Sequence, residues 1–217
     1  MDWSQPIDLY CERTDAAFWS EPVNAVSNVA FLIAAAAAFV HWRRGDRKDW
    51  PALALIGVVT AVGIGSFVFH TVATRSAVLA DVIPIAVFIY GYLLLALRRF
   101  LHLPCMAAGA IVVAYAAAAQ GLSALAPPRF LNGSVGYLPA LAALIAVAAT
   151  AKEARVRRGL ALAALVFAIS LALRTTDIAL CPVFPLGTHF AWHILNAVVL
   201  YVLLRTALAA RPSRVGP

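Results

Sequence analysis

Apolar residues gather into seven long runs along this chain, separated by polar or Pro- and Gly-bearing breaks. The runs cover approximately residues 22–42, 51–73, 77–97, 103–120, 135–151, 159–178 and 186–209. About 17–25 consecutive, mainly apolar residues let a helix cross the hydrocarbon core of a bilayer. The pattern therefore predicts an all-α, polytopic membrane protein with seven transmembrane helices. Clear breaks fall at Trp42 to Trp50 and at Ala126 to Gly136. The fifth run is the shortest. No second domain, fixed-period repeat or low-complexity segment is visible beyond the alanine run Ala34 to Ala38, which reads as helix filler.

Composition supports the same picture. The chain is 63% hydrophobic and 12% charged, with a mean hydropathy of +0.87. An ordinary soluble domain is nearer ~45–50% apolar and ~25% charged, so a soluble reading is excluded. The first 21 residues carry Asp2, Asp8, Glu12, Asp15 and Glu21 without an apolar core, unlike a cleavable signal peptide. This acidic stretch is expected to belong to the working protein. The expected organisation is an extracytoplasmic segment over 1–21, a transmembrane domain over 22–209 and a short basic cytoplasmic tail over 210–217.

Charge placement sets the orientation. With the N-terminus outside, Arg43, Arg44, Arg47, Lys48, Arg98, Arg99, Lys152, Arg155, Arg157, Arg158, Arg205, Arg211 and Arg214 fall on one side, and Arg13, Arg75, Arg129 and Arg174 on the other. Thirteen against four is a positive-inside bias that predicts N-out and C-in. The net charge of +7 is then topogenic. Its expected partner is the anionic headgroups of the membrane rather than nucleic acid, and no obligate protein partner is implied. The Ala-rich composition and compact loops point to a bacterial inner membrane.

Five polar side chains stand inside the apolar runs: Ser66 and His70 in the second, Asp81 in the third, His189 and His193 in the seventh. Such groups are costly in a bilayer and usually face a site in the bundle interior. The predicted topology puts all five in the outer half of the membrane. Ser66 and His70 are four residues apart, as are His189 and His193, and residues at that spacing share a helix face. Three neutral imidazoles and a water make an open tetrahedral zinc site. Taken singly, each has a plainer role: a membrane histidine can serve as an interhelix hydrogen-bonding residue, and Ser66 can bond back to the carbonyl of Val62. The carboxyl of Asp81 needs a partner in either case. Tyr137, near the outer end of the fifth run, is a candidate second donor to a developing oxyanion, with packing or an interfacial position as its alternative.

Taken together, these residues resemble the alkaline ceramidase family, part of a wider group of seven-helix membrane hydrolases and receptors that includes the adiponectin-receptor-like proteins. The matching pieces are Ser66-Phe67-Val68-Phe69-His70, Asp81 eleven residues on, and His189-Phe190-Ala191-Trp192-His193. Glu21-Pro22-Val23-Asn24-Ala25-Val26-Ser27-Asn28 is similar to the family's entry to its first helix, and Asp177 with Cys181 to its sixth-helix exit. The resemblance implies a zinc-dependent amidase that cleaves the N-acyl bond of ceramide or a related N-acyl lipid. His70, His189 and His193 would be the zinc ligands, Asp81 the general base toward the attacking water, and Ser66 an oxyanion donor.

The resemblance also implies a disulfide between Cys11 and Cys181, both on the predicted outer side, and a calcium site in the N-terminal segment drawn from Asp8, Tyr10, Glu12 and Glu21. Leu9 stands where an aspartate would be expected and Thr14 replaces an amide, so a solvated acidic face is the alternative to calcium. Three rival functions share the bundle: a non-catalytic zinc-containing receptor or sensor, a haem-binding electron carrier using His70 with His189 or His193, and a transporter with Asp81 as its proton site.

Overall fold

A computed structural model describes residues 2–45, 47–127 and 130–210. The expected basic tail, Ala210 apart, lies outside the described residues. Among these described residues eight α-helices run in order: α1 Pro22–Ser27, α2 Val29–Arg44, α3 Trp50–Val72, α4 Arg75–Arg99, α5 Cys105–Leu125, α6 Leu138–Thr150, α7 Ala154–Leu180 and α8 His189–Ala209. Helices α1 and α2 form one apolar stretch, and a 3₁₀ segment over Phe130–Tyr137 leads into α6. This makes seven stretches long and apolar enough to cross a membrane. The seven predicted runs are all present.

Boundaries follow local chemistry. Asp49 and Thr74 cap α3 and α4 by accepting from the backbone N–H of Ala52 and Ala77. The first stretch breaks at Asn28, whose side-chain amide donates to the carbonyls of Asn24 and Ala25. The break before the fifth run has a defined backbone. Leu131, Asn132 and Gly133 all take left-handed backbone angles, so only the thirteen residues of α6 are regular helix. An asparagine and a glycine supply two of those three positions.

Packing turns the polar and small residues inward. Helix α3 lies against α4, α7 against α8, and α2 spans α3 and α8. The shared core includes Phe31, Val59, Val62, Leu160, Ala163 and Leu204. Small residues let backbones approach, as helices in lipid require: Gly63 lies against Phe31, and Gly159 against Thr206. Large apolar side chains such as Ile83, Val113 and Leu165 face outward, which suits a lipid surface and not water.

Specific contacts fix both ends of the bundle. At the end carrying the C-terminus of α8, Arg99 pairs with Asp49 at 2.7 Å and donates to the carbonyl of Ala207. At the other end, the N-terminal segment docks on the α3–α4 turn, where Ile7 N donates to the Ala73 carbonyl at 2.7 Å. A Cys11–Cys181 disulfide ties the same segment to the end of α7, as the family resemblance implied.

Candidate metal centre

At that second end, α3 and α8 bring three histidines together. His70, His189 and His193 are buried at 1–2% exposure, and their ligand atoms lie within 4.8 Å of one another. Among the described residues this is the group of histidine, cysteine or acidic side chains placed to share an ion.

The hydrogen bonds determine which nitrogens face inward. His70 Nδ1 bonds Glu21 Oε2 at 2.6 Å. An ionised carboxylate can only accept, so the ring proton sits on Nδ1 and the Nε2 lone pair is left free. His193 Nδ1 bonds Ser27 Oγ at 2.7 Å, while the same hydroxyl donates its proton to the Asn24 carbonyl at 2.7 Å. Ser27 must then accept from His193, which again leaves Nε2 unprotonated. Outer partners of this kind orient metal-binding histidines and fix their tautomer.

Glu21 is itself held from several sides. Arg13 Nε donates to Oε1, Asn24 Nδ2 donates to Oε2 at 3.1 Å, and Arg13 Nη2 reaches the carbonyl of His70 at 3.0 Å. Burial pushes the Glu21 carboxyl up, but the contacts with His70, Arg13 and Asn24 outweigh it and hold the group below the usual carboxylate range. It is therefore an anion where His70 needs one.

His189 is positioned through its backbone and its ring face. Fully buried Asp177 accepts from the N–H of Thr188 at 2.7 Å, of His189 at 2.9 Å and of Cys11 at 3.0 Å. One carboxylate thus caps the start of α8 and anchors the disulfide-bonded segment. Gly187, at φ 63°, passes so close to Asp177 and Cys11 that a side chain there would collide with both. The ring of Tyr10 stacks on that of His189 with centroids 3.5 Å apart. Burial pushes the Tyr10 phenol well above its ordinary range, so it stays neutral.

The donor set fits a metal ion. Among the described residues, His70 Nε2 and His189 Nδ1 are buried without a hydrogen-bond partner, a costly state that a bound cation relieves. Three neutral imidazoles suit zinc and its first-row neighbours.

Ser66 and Asp81 stand beside this cluster. Both line a cavity that His189 and His193 also line. Their approach has a backbone cause. Pro84 has no N–H and cannot bond the carbonyl of Ala80, four residues earlier in α4. Gly65 lets α3 come directly against that carbonyl. The next residue on each helix is Ser66 and Asp81. Asp81 Oδ1 is buried without a hydrogen-bond partner among the described residues.

From this end the cavity extends along α8 to Leu203, where Tyr92 donates to the Leu203 carbonyl at 2.9 Å. His189 and Leu203 are fourteen residues apart, a depth of about 21 Å at helical rise. Its walls below the histidines are mainly apolar, including Phe88, Leu144, Leu160 and Phe167, with Asn196, Tyr92 and Tyr115 the polar exceptions.

Tyr137 also lines the cavity, with its ring 5.0 Å from that of Trp192 in an edge contact. The expected calcium residues meet a different arrangement. Glu12 is committed to the backbone N–H groups of Val23 and Asn24 at the start of α1, and Glu21 to Arg13, Asn24 and His70. Tyr10 packs on His189, and Asp8 is exposed. The positive partner of Glu21 is the Arg13 guanidinium. Three contributors had no role in the sequence reading: Glu21 as partner of His70, Ser27 as partner of His193, and Arg174 in the cavity wall. For the first two, the motif Glu21 to Asn28 was the available signal. For Arg174 it was a cation inside an apolar run.

Comparison with known proteins identifies the family. No curated protein matches the chain. A profile of the ceramidase family matches residues 9–214, a range that contains the three histidines, Ser66, Asp81 and both bridged cysteines. The chain is a multi-pass, all-helical member of the ceramidase family.

Proposed function

We propose that the protein is a zinc-dependent intramembrane amidase that hydrolyses the N-acyl bond of ceramide or a related N-acyl lipid, releasing a fatty acid and a long-chain amine. The observation that carries this reading is the group of three buried imidazoles, two with their protons fixed away from the centre, beside a carboxylate and a hydroxyl in one cavity.

His70, His189 and His193 would hold the ion, which when bound supplies Lewis acidity and lowers the pKa of water. The chain's own groups do the rest. Asp81 orients the attacking water and takes its proton, then returns that proton to the leaving amine. Ser66 donates to the oxygen that becomes negative as the carbonyl is attacked, in a cavity whose apolar walls strengthen such a bond. Tyr137 is the candidate second donor. The walls between Phe88 and Leu203 accept the acyl chain and exclude water from it. A purely structural ion would need neither Ser66 nor the free oxygen of Asp81, which favours an enzyme over a receptor or sensor.

The reading includes an orientation. The charge bias supports N-out and C-in, with the site toward the non-cytoplasmic side of a bacterial inner membrane. The disulfide is consistent with that side, where such bonds persist. The acidic segment 1–21 then acts as an outer cover, and 22–209 as the hydrolytic domain.

The test is fatty-acid release from a panel of N-acyl lipids by the purified protein. Asp81→Asn should retain its metal and lose about 10²–10⁴-fold in turnover, because an amide cannot accept the proton. Native-rate hydrolysis by that variant would remove Asp81 from the role of base.

A further inference from the structure

Arg174, in α7, has no part in the mechanism above, yet it lines the same cavity as Ser66, Asp81, His189 and His193. It is a permanent cation within a membrane-spanning helix. Among the described residues it has no ion pair. Three aromatic rings surround it instead: those of Tyr137, Trp192 and Tyr10 lie 5.4, 5.7 and 5.9 Å from its guanidinium carbon. Such a cage tolerates a cation without neutralising it.

The hydrogen bonds divide the guanidinium into two parts. Nη1 donates to the carbonyl of Asn132 and to Ser134 Oγ at 3.1 Å, which pins the left-handed turn before α6. Nη2 makes one long bond, 3.4 Å, to the Tyr10 hydroxyl. A guanidinium carries five N–H donors. Nε–H and one Nη2–H therefore have no partner among the described residues. A structural pin needs only the Nη1 side.

A planar cation with spare parallel donors recognises a carboxylate or phosphate, and does so better than it recognises a neutral hydroxyl. Resting on the amidase reading, we infer that Arg174 is a specificity-determining residue that binds an anionic oxygen group on the amine side of the substrate. The preferred substrates are then N-acyl lipids bearing a carboxylate or phosphate near the amide, ahead of uncharged ceramide. The acyl chain descends toward Leu203 while the charged head stays by the aromatic cage, at the end of the bundle that holds the metal centre.

The experiment measures affinity and turnover of the full-length, metal-loaded protein with N-palmitoylglycine, ceramide 1-phosphate, and the uncharged N-palmitoylethanolamine and ceramide. The native protein should bind the anionic member of each pair about 10–100-fold more tightly, the range expected for hydrogen bonds to a charged group. Arg174→Gln should bring that ratio close to one. Arg174→Lys should keep the phosphate preference and lose most of the carboxylate preference, since it retains the charge without the fork. A preference for carboxylate alone or phosphate alone identifies the head group. Equal affinity for charged and uncharged ligands in the native protein overturns the inference, as does an equal loss for both in either variant, which is the mark of a purely structural arginine. If Arg174→Gln does not fold, the native ratio and the lysine variant decide. Charge preference without any fatty-acid release would refute the amidase reading and leave Arg174 as an anion-binding group for a lipid ligand; release without charge preference overturns the role of Arg174 and leaves the amidase reading standing.

Discussion

Glu21 and His70 meet through a 2.6 Å bond between Oε2 and Nδ1, although one precedes the first transmembrane stretch and the other ends the second. The bond fixes the imidazole tautomer and ties the N-terminal segment to the metal centre.

Glu21→Gln should therefore lower metal affinity about 10–100-fold, the usual effect of losing an outer-shell partner. Glu21→Ala should do worse, because it also leaves the Arg13 guanidinium buried without its carboxylate. Competition with a chelator of known affinity measures both. Native affinity in the glutamine variant would show that the carboxylate does not orient His70.

A second expectation concerns Asp177, whose two oxygens serve three backbone N–H groups. Asp177→Asn keeps one acceptor oxygen but turns an amide N–H₂ toward another donor. A cost of about 1–3 kcal/mol in stability is expected, seen as a lower Tm in detergent. His189 begins α8 at this cap, so metal affinity should fall with it. An unchanged Tm would mean that the cap is not what holds the start of α8.

Gly65 offers a third test. A methyl group at this position would collide with the Ala80 carbonyl, a backbone atom that cannot swing aside. Gly65→Ala should push α3 from α4, cost about 1–3 kcal/mol and separate Ser66 from Asp81. Turnover should drop more than metal content does, since the histidines do not depend on that contact. Full activity with native stability would argue against the Gly65–Ala80 approach.

Much of this architecture was legible in one dimension. Hydropathy alone gives seven spans, because a helix in lipid must present about twenty apolar residues whatever its neighbours are. His189 and His193 were visible for a related reason: costly groups four residues apart share a face. What stayed hidden depends on residues meeting across the chain. Glu21 looked like one acid in an acidic stretch, and nothing local says that its partner is His70. Ser27 reads as a helix serine until His193, 166 residues away, is seen against it. Arg174 was counted as an outer charge, because only the fold brings Tyr10, Tyr137 and Trp192 around it. The left-handed turn at Leu131, Asn132 and Gly133 falls inside the break expected before the fifth span, but its pinning by Arg174 depends on a residue some forty positions away.

The central claim is that three histidines hold one catalytic ion. Elemental analysis of the purified protein, native and with His193→Ala, tests it most directly. The account predicts about one equivalent of zinc per native chain, the occupancy of a single tetrahedral site, and little in the variant while the bundle still inserts. A folded native protein that carries no stoichiometric metal and takes none up from added zinc would contradict it, and so would undiminished metal in His193→Ala.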